Sequence, residues 1–196
     1  MDLQTIHEHD ICTDSRIIWL NNKNNPSESD INHQVSIRFI KNLSILSSLS
    51  SEDPITIILH SCGGCSFESV AIFEAMRINP CPKIMMSYVD VASAATMIIQ
   101  GADVRVITEK AGMLLHRGSI AIEDNAKNVS ATMKWIDENF EIYLNIYANR
   151  MKKAKKFKGK SLREIKKYLT EAIDSNTELY LTSKEAKNWG LIDKIL

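Results

Sequence analysis

The stretch from Met86 to Gly101 constrains this chain most, because it begins with strand-forming residues and continues as an apolar helix. Ser93 lies at the junction, between Ala92 and Ala94. The N-terminus of a helix offers free backbone N–H groups and the positive end of the helix dipole, and both favour a developing oxyanion. Ser93 is therefore either a nucleophile presented at the start of a helix or an N-cap residue, a position where serine is common.

The rest of the chain alternates between strand and helix patterns. Ile55 to Leu59 is a nearly continuous apolar run, which is typical of a strand covered on both faces. A helix from about Ser66 to Ile78 follows, and a strand over Lys83 to Val89 leads into the Ser93 stretch. This alternation predicts an α/β fold. The other predicted elements are strands at 15–20, 104–107, 113–116 and the C-terminus, a turn at 21–26, and helices from Ser29 or Asp30 to Leu49, at 125–154, from 161 onward and at 182–190.

Size and charge exclude several classes of protein. With 196 residues, and 24 Lys and Arg balanced by 24 Asp and Glu, the chain suits one domain and carries no global charge that would attract nucleic acid or a membrane. No apolar run approaches the roughly 20 residues that span a bilayer, and the N-terminus lacks the features of a signal peptide. The four cysteines do not make a disulfide scaffold at this length, so we expect a reducing, cytoplasmic setting. We expect an arm over residues 1–14, mobile or dependent on a partner, before a single domain over 15–196.

Candidates for serine-based amide hydrolysis lie in separate parts of the chain. Such chemistry needs a base for the hydroxyl proton, an anion that orients the base, and donors for the oxyanion. His116 ends an apolar strand, and a neutral imidazole suits the role of base at cellular pH. Glu178 is the first choice for the orienting acid and Asp174 the second.

The segment from His60 to Cys65 offers backbone without side chains at Gly63 and Gly64, so its N–H groups can approach a substrate closely. Ala94, directly after Ser93, supplies a second N–H donor. The same segment contains C-x-x-C beside a histidine, a pattern also found in zinc and redox sites. A structural zinc normally takes four ligands and no second cysteine pair follows, so we expect no metal.

Five motifs occur in the order found in the Clp protease proteolytic subunit (ClpP) family, which the chain resembles over roughly residues 15–196. Ile57-Ile-Leu-His-Ser-Cys-Gly-Gly64 resembles a strand followed by N-S-P-G-G, Ala92-Ser-Ala-Ala95 resembles A-A-S-M-G, Met113-Leu-Leu-His116 resembles M-I-H, Glu178-Leu-Tyr-Leu-Thr-Ser-Lys-Glu-Ala186 resembles D-x-F-L-S-A-x-E-A, and Trp189-Gly-Leu-Ile-Asp193 resembles Y-G-L-I-D. The chain is similar in particular to the divergent Clp-like proteases of phages and prophages. Whether it would serve general proteolysis or capsid maturation stays open.

The resemblance implies a ClpP/crotonase-like α/β fold of stacked strand–strand–helix units, with a protruding handle helix in the region 125–160. It implies a serine endopeptidase that needs no cofactor, works inside a homo-oligomeric ring, either a heptamer or a stacked double ring, and receives protein from an ATP-driven unfoldase. The carried-over residues are Ser93 as nucleophile, His116 as base, Glu178 as the orienting acid, Gly64 and Ala94 as oxyanion donors, and Gly63 and Gly64 as a strand edge that binds an extended peptide.

Four departures from the family pattern stand out. Val89 replaces the usual glycine four residues before the nucleophile, and the following Asp90 places a charge near the pocket wall. Cys62 replaces the usual proline, and Glu178 replaces the orienting Asp. The segment after the handle, Lys152 to Lys160, is unusually long and basic.

Two rival functions therefore stay open. One is a non-catalytic ring subunit, which the departures at Val89, Asp90 and Glu178 would suit. The other is a crotonase-type enzyme that binds acyl-CoA and stabilises a thioester enolate with backbone N–H groups, which requires no Ser–His pair. The basic segment is either a solvated helix end or a surface for an acidic partner or nucleic acid, and the balanced charge of the whole chain favours the first.

Overall fold

The computed structural model describes residues 3–21 and 30–196. These residues form two sheets with helices packed around them. The strands are β1 (Ile11–Cys12), β2 (Ile17–Leu20), β3 (Ile55–Leu59), β4 (Lys83–Ser87), β5 (Val91–Ala92), β6 (Val104–Ile107), β7 (Gly112–His116), β8 (Glu178–Thr182) and β9 (Lys194–Ile195). The α-helices are α1 (Leu3–His9), α2 (His33–Leu49), α3 (Ser66–Ile78), α4 (Ala94–Ile98), α5 (Ala126–Met151), α6 (Leu162–Asn176) and α7 (Ser183–Asn188).

The larger sheet has six strands in the order β1-β2-β3-β4-β6-β9. All its neighbours are parallel except β1 and β2. Alternate residues of β3 are buried, as are the facing residues of α2 and α3. The predicted α/β class is therefore confirmed, and the bounds expected for β3, α3 and β6 match the structure.

Helices α2, α5, α6 and α7 begin at polar caps that accept from N–H groups of the first turn. Asn32 caps α2 by accepting from the N–H of Val35. The sequence predicted Ser29 or Asp30 as this cap. Ser29 lies outside the described residues, as does the predicted turn after Asn21. The Asp30 carboxylate accepts instead from the Cys62 N–H. Ser161 opens α6 with the predicted capping box.

The smaller sheet, in the order β5-β7-β8, carries the candidate site. β5 runs parallel to β7, and β7 pairs antiparallel with β8 so that His116 lies opposite Glu178. The strands predicted from the sequence do not include β8, although Leu179 and Leu181 alternate with exposed residues in the pattern of a half-buried strand.

Helix α5 is the predicted handle. Its C-terminal half is buried through residues such as Phe140, Leu144 and Tyr147, whereas its N-terminal half leaves Met133 and Trp135 exposed. None of the helices in the described ranges combines the length and apolar character needed to cross a bilayer.

The N-terminal residues differ from the expected arm. Residues 3–12 form α1 and β1, which pairs with β2 at the sheet edge. Ile11 belongs to the buried core, and the buried Asp10 forms an ion pair with Arg38 at 2.9 Å. Two residues of antiparallel pairing are too short a pattern to recognise in sequence.

Candidate active site

Ser93 sits on a sharp turn between β5 and α4. Its φ of 53° and ψ of −130° lie in a region that non-glycine residues rarely adopt, at a cost of about 1–3 kcal/mol. The surroundings hold this conformation: the Ser93 N–H donates to the Leu114 carbonyl at 2.8 Å, and the Thr96 N–H and hydroxyl both donate to the Ser93 carbonyl. The buried Tyr147 hydroxyl in turn pairs with the Thr96 hydroxyl at 2.7 Å.

The Ser93 side chain faces His116 and does not cap the helix. Ser93 occupies the N-cap position of α4, yet its hydroxyl makes no capping hydrogen bond. Instead its Oγ lies 2.7 Å from Nε2 of His116, at the end of β7. When Nε2 accepts from the serine hydroxyl, a neutral imidazole carries its own proton on Nδ1. The geometry thus favours the nucleophile hypothesis over the N-cap hypothesis.

The first-choice acid, Glu178, lies beside His116 without contacting it. The two residues are directly paired across β7 and β8, so their side chains project from the same face of the sheet. However, the Glu178 Oε2 accepts a hydrogen bond from the Tyr180 hydroxyl at 2.6 Å. This bond raises the pKa of Tyr180, because the carboxylate favours the protonated phenol. Within the described ranges, Nδ1 of His116 has no hydrogen-bond partner.

The second-choice acid, Asp174, is paired with a different residue. Its Oδ1 and Oδ2 accept from Nε and a terminal nitrogen of Arg117 at 2.7 and 3.2 Å. This hydrogen bonding lowers the pKa of Asp174 and raises that of Arg117. The Arg117 guanidinium also stacks 4.4 Å from the centre of the Phe140 ring. The ion pair therefore fastens the segment after His116 to α5 and α6.

Gly63 and Gly64 adopt conformations that require glycine. Their φ angles are 110° and 142°. A Cβ on Gly63 would lie 2.6 Å from the Cβ of Ser93 and 2.9 Å from the Ala92 carbonyl oxygen. A Cβ on Gly64 would lie 2.5 Å from the Ile31 carbonyl oxygen. The absence of both side chains brings this backbone against the Ser93 turn on one side and against Ile31 on the other.

One edge of the glycine segment is already paired. The Ile31 N–H donates to Gly63 at 2.9 Å, and the Cys65 N–H donates to Ile31 at 2.7 Å, which makes a parallel bridge. In such a bridge the N–H and carbonyl of Gly64 point to the opposite edge, where no described residue bonds to its N–H. A Cβ on Gly63 would also lie 3.1 Å from the Ala94 nitrogen, so both candidate oxyanion donors border the Ser93 turn.

A cavity of about 710 Å³ opens beside His116 on the side of Glu178. It is lined by His116, Arg117, Gly118, Ser119, Ile173, Asp174, Thr177 and Glu178.

The Asp90 carboxylate is bonded to the backbone at the start of β7. Its Oδ1 accepts from the Gly112 N–H at 2.6 Å, at the start of β7, while His116 ends that strand. This separates the carboxylate from His116 by about 13 Å of extended chain. Asp90 does not line the cavity beside His116, and its carboxylate instead fastens the start of β7.

The remaining sequence features are placed as follows. All four cysteines are free, and within residues 3–21 and 30–196 no group of three or more His, Cys, Asp or Glu side chains could hold a metal ion. Near the end of α5, Arg150 donates to the Ala102 carbonyl, and in the basic segment Lys156 lies 4.3 Å from the Trp189 ring centre. These two cations therefore contact other parts of the fold.

Comparisons with known proteins identify the family and the fold of the chain. A family model described as Clp protease matches residues 9–196. The ATP-dependent Clp protease proteolytic subunit 2 of Treponema denticola is 27% identical over 179 residues, which cover 90% of this chain and 83% of the relative. The subunit 2 of Pseudomonas aeruginosa is 29% identical over 161 residues, with 80% and 72% covered. The structure of a ClpP1 mutant from Listeria monocytogenes matches with a TM-score of 0.74 at 20% identity and covers 99% of this chain and 96% of its own. With nearly its whole length matched, the chain belongs to the Clp protease family and has the ClpP fold.

Proposed function

We propose that this protein is a serine endopeptidase in which Ser93 is the nucleophile and His116 the base. The observation that carries the proposal is the 2.7 Å contact between Ser93 Oγ and His116 Nε2, on a strained turn that opens a helix. That contact meets the distance requirement for proton transfer to a general base. The family membership supplies the reaction class, because its named relatives are proteolytic subunits.

The reaction would proceed in two halves. His116 takes the hydroxyl proton as Ser93 Oγ attacks the peptide carbonyl carbon, and the carbonyl oxygen becomes an oxyanion. The N–H groups of Gly64 and Ala94 would donate to this oxygen. His116 then passes the proton to the leaving amine, which leaves an ester on Ser93. A water molecule, deprotonated by His116, hydrolyses that ester and restores the serine. Apart from the substrate and this water, these steps use side chains and backbone of this chain.

Glu178 is proposed as the residue that stabilises the imidazolium. The register that pairs Glu178 directly with His116 supports this role, because it puts both side chains on one face of the sheet. A rotation of the Glu178 side chain away from Tyr180 would bring an oxygen to Nδ1 of His116, since directly paired Cβ atoms lie about 4.5–5.5 Å apart.

An extended peptide is the substrate that the glycine segment would suit. The free N–H and carbonyl of Gly64 could add a substrate strand on the edge opposite Ile31, and main-chain pairing of this kind tolerates varied side chains.

We further propose a homo-oligomeric ring that receives substrate from an ATP-driven unfoldase. The exposed apolar residues in the N-terminal half of α5, including Met133 and Trp135, support a subunit contact there. The names of the relatives, ATP-dependent proteolytic subunits, support a separate ATPase partner.

Hydrolysis of a fluorogenic peptide library by wild type, Ser93→Ala and Ser48→Ala tests the proposal. Ser48 lies exposed on α2, away from the turn, so its variant serves as the matched control. We expect loss of cleavage by about 10³-fold or more only in Ser93→Ala. Equal cleavage by Ser93→Ala and wild type would refute Ser93 as the nucleophile. A folded wild type without any cleavage would instead support the non-catalytic ring subunit.

A further inference from the structure

Glu178 has two candidate partners on one face of the smaller sheet. His116 is its direct neighbour across the strands, while Tyr180 lies two residues further along β8 on the same face. The carboxylate accepts a hydrogen bond from Tyr180 at 2.6 Å, and it makes no other side-chain hydrogen bond to a described residue. The Glu178 carboxylate is thus engaged with a phenol and not with the imidazole beside it.

We propose that Tyr180 is a positioning residue that competes with His116 for Glu178, and so sets the fraction of molecules in which the imidazole has an anionic partner. The inference rests on the proposed serine-protease function. The Ser93–His116 contact is already made in the structure, whereas the His116–Glu178 contact requires the Tyr180 bond to open.

The chemistry of the two bonds makes this competition close. A hydroxyl donating to a carboxylate at 2.6 Å is in the short range of charge-assisted hydrogen bonds. A neutral imidazole N–H is also a charge-assisted donor to that carboxylate, and it becomes a stronger one when His116 takes the proton of Ser93. Tyr180 therefore opposes the hydrogen bond between Glu178 and His116 in the resting state, and the developing imidazolium favours that bond.

The hydroxyl of Tyr180 can be removed with little effect on folding. Tyr180 is 68% exposed, and the buried face of β8 is formed by Leu179 and Leu181. Removing the hydroxyl leaves Glu178 without its present partner but keeps the ring and the β7–β8 register. A change in activity would therefore report on the carboxylate and not on the fold.

The test compares the kcat/KM for a cleaved peptide in wild type, Tyr180→Phe, Glu178→Gln and the double variant. We expect Tyr180→Phe to raise kcat/KM by roughly three- to tenfold, the order of the net contribution of one typical hydrogen bond. In the Glu178→Gln background the same change should have no effect, because the carboxylate that the two residues share is gone. Tyr88→Phe, on an exposed tyrosine at the end of β4, is the matched control and should leave kcat/KM unchanged.

The pH profile provides a readout that a purely structural role would not move. The charged groups that line the cavity beside His116 are Arg117, Asp174 and Glu178, and the first two are paired with each other. A carboxylate freed by Tyr180→Phe would favour the imidazolium, which cannot accept the proton of Ser93. The acid limb of the kcat/KM profile should therefore move to higher pH in Tyr180→Phe, and it should not move in the double variant.

The outcomes separate this inference from the proposed function. Cleavage that depends on Ser93, together with an unchanged or lowered kcat/KM in Tyr180→Phe, would overturn the role of Tyr180 and leave the proposed function intact. An equal rise in kcat/KM on Tyr180→Phe with and without Glu178 would overturn that role in the same way. A wild type in which cleavage does not depend on Ser93 would overturn both.

Discussion

The two halves of the candidate site are built in different ways. On the nucleophile side, Ser93 is fixed by backbone hydrogen bonds to Leu114 and Thr96 and by the close approach of Gly63. On the acid side, Glu178 and Asp174 are exposed and held by side-chain bonds to Tyr180 and Arg117. Buried backbone contacts allow one arrangement, whereas exposed side chains exchange partners at small cost. The contact between Ser93 and His116 is therefore preformed, whereas the candidate orienting acids are held by contacts that can change.

Gly63→Ala should give the largest effect on activity, because it disrupts the nucleophile side of the site, where buried backbone contacts fix Ser93. The added Cβ would lie 2.6 Å from the Cβ of Ser93, so the Ser93 turn must shift. We expect the rate of peptide cleavage to fall by about 100-fold, the scale of a 1 Å misplacement at a catalytic group. Cleavage assays and thermal unfolding of the purified variant measure the two consequences.

Gly159→Ala is the matched control for this change. Gly159 also has a positive φ, of 83°, but an added Cβ would meet nothing within 4 Å. Both variants bear the backbone cost of about 1 kcal/mol for a side chain in this region, and only Gly63→Ala has the clash. Similar cleavage rates in the two variants would contradict the close packing of Gly63 on Ser93.

Glu178→Gln should give an intermediate effect on activity, because it removes the carboxylate charge from the acid side of the site. A fully engaged triad carboxylate is worth about 10⁴-fold in rate. Since Tyr180 occupies Glu178 in the resting state, we expect a loss of only about tenfold in kcat/KM. Steady-state kinetics would decide: a loss near the full value would mean that Glu178 contacts His116 throughout, and no loss would remove Glu178 from the site.

Asp174→Asn should give the smallest effect on activity, by less than about twofold, because Asp174 is paired with Arg117 and not with His116. The effect should appear in stability instead. Arg117 lowers the pKa of Asp174, so the ion pair stabilises the fold above the ordinary pKa of aspartate and is lost as pH falls through the lowered value. Wild type should exceed Asp174→Asn by at most about 1 kcal/mol at neutral pH.

Denaturant unfolding at neutral and acidic pH measures this difference, which should vanish in acid. A drop in kcat/KM as large as that of Glu178→Gln would instead identify Asp174 as the orienting acid.

The nucleophile side of the site could be predicted from the sequence better than the acid side. The strand at Ile55–Leu59, the helix at Ser66–Ile78 and the pairing of Ser93 with His116 follow from local patterns and from the order of motifs. The pairing of Glu178 with Tyr180 could not be predicted, because it depends on a rotamer choice between two neighbours on an exposed strand face.

Other differences have a similar origin. Asp30 was expected to cap α2, but its carboxylate accepts from the Cys62 N–H at 2.6 Å and thereby supports the glycine segment. Ile31 takes one edge of that segment, which is a contact between residues about thirty positions apart. Long-range pairing of this kind leaves no local signal in the sequence.

The most direct test of whether His116 activates Ser93 is intact-mass spectrometry after treatment with a fluorophosphonate, which reacts only with an activated serine. Wild type and His116→Ala would be compared as folded proteins at the same time points. We predict a single adduct on Ser93 in wild type, and labelling slower by about 10³-fold in His116→Ala. No adduct on folded wild type, or equal labelling of both proteins, would contradict the claim that His116 activates Ser93.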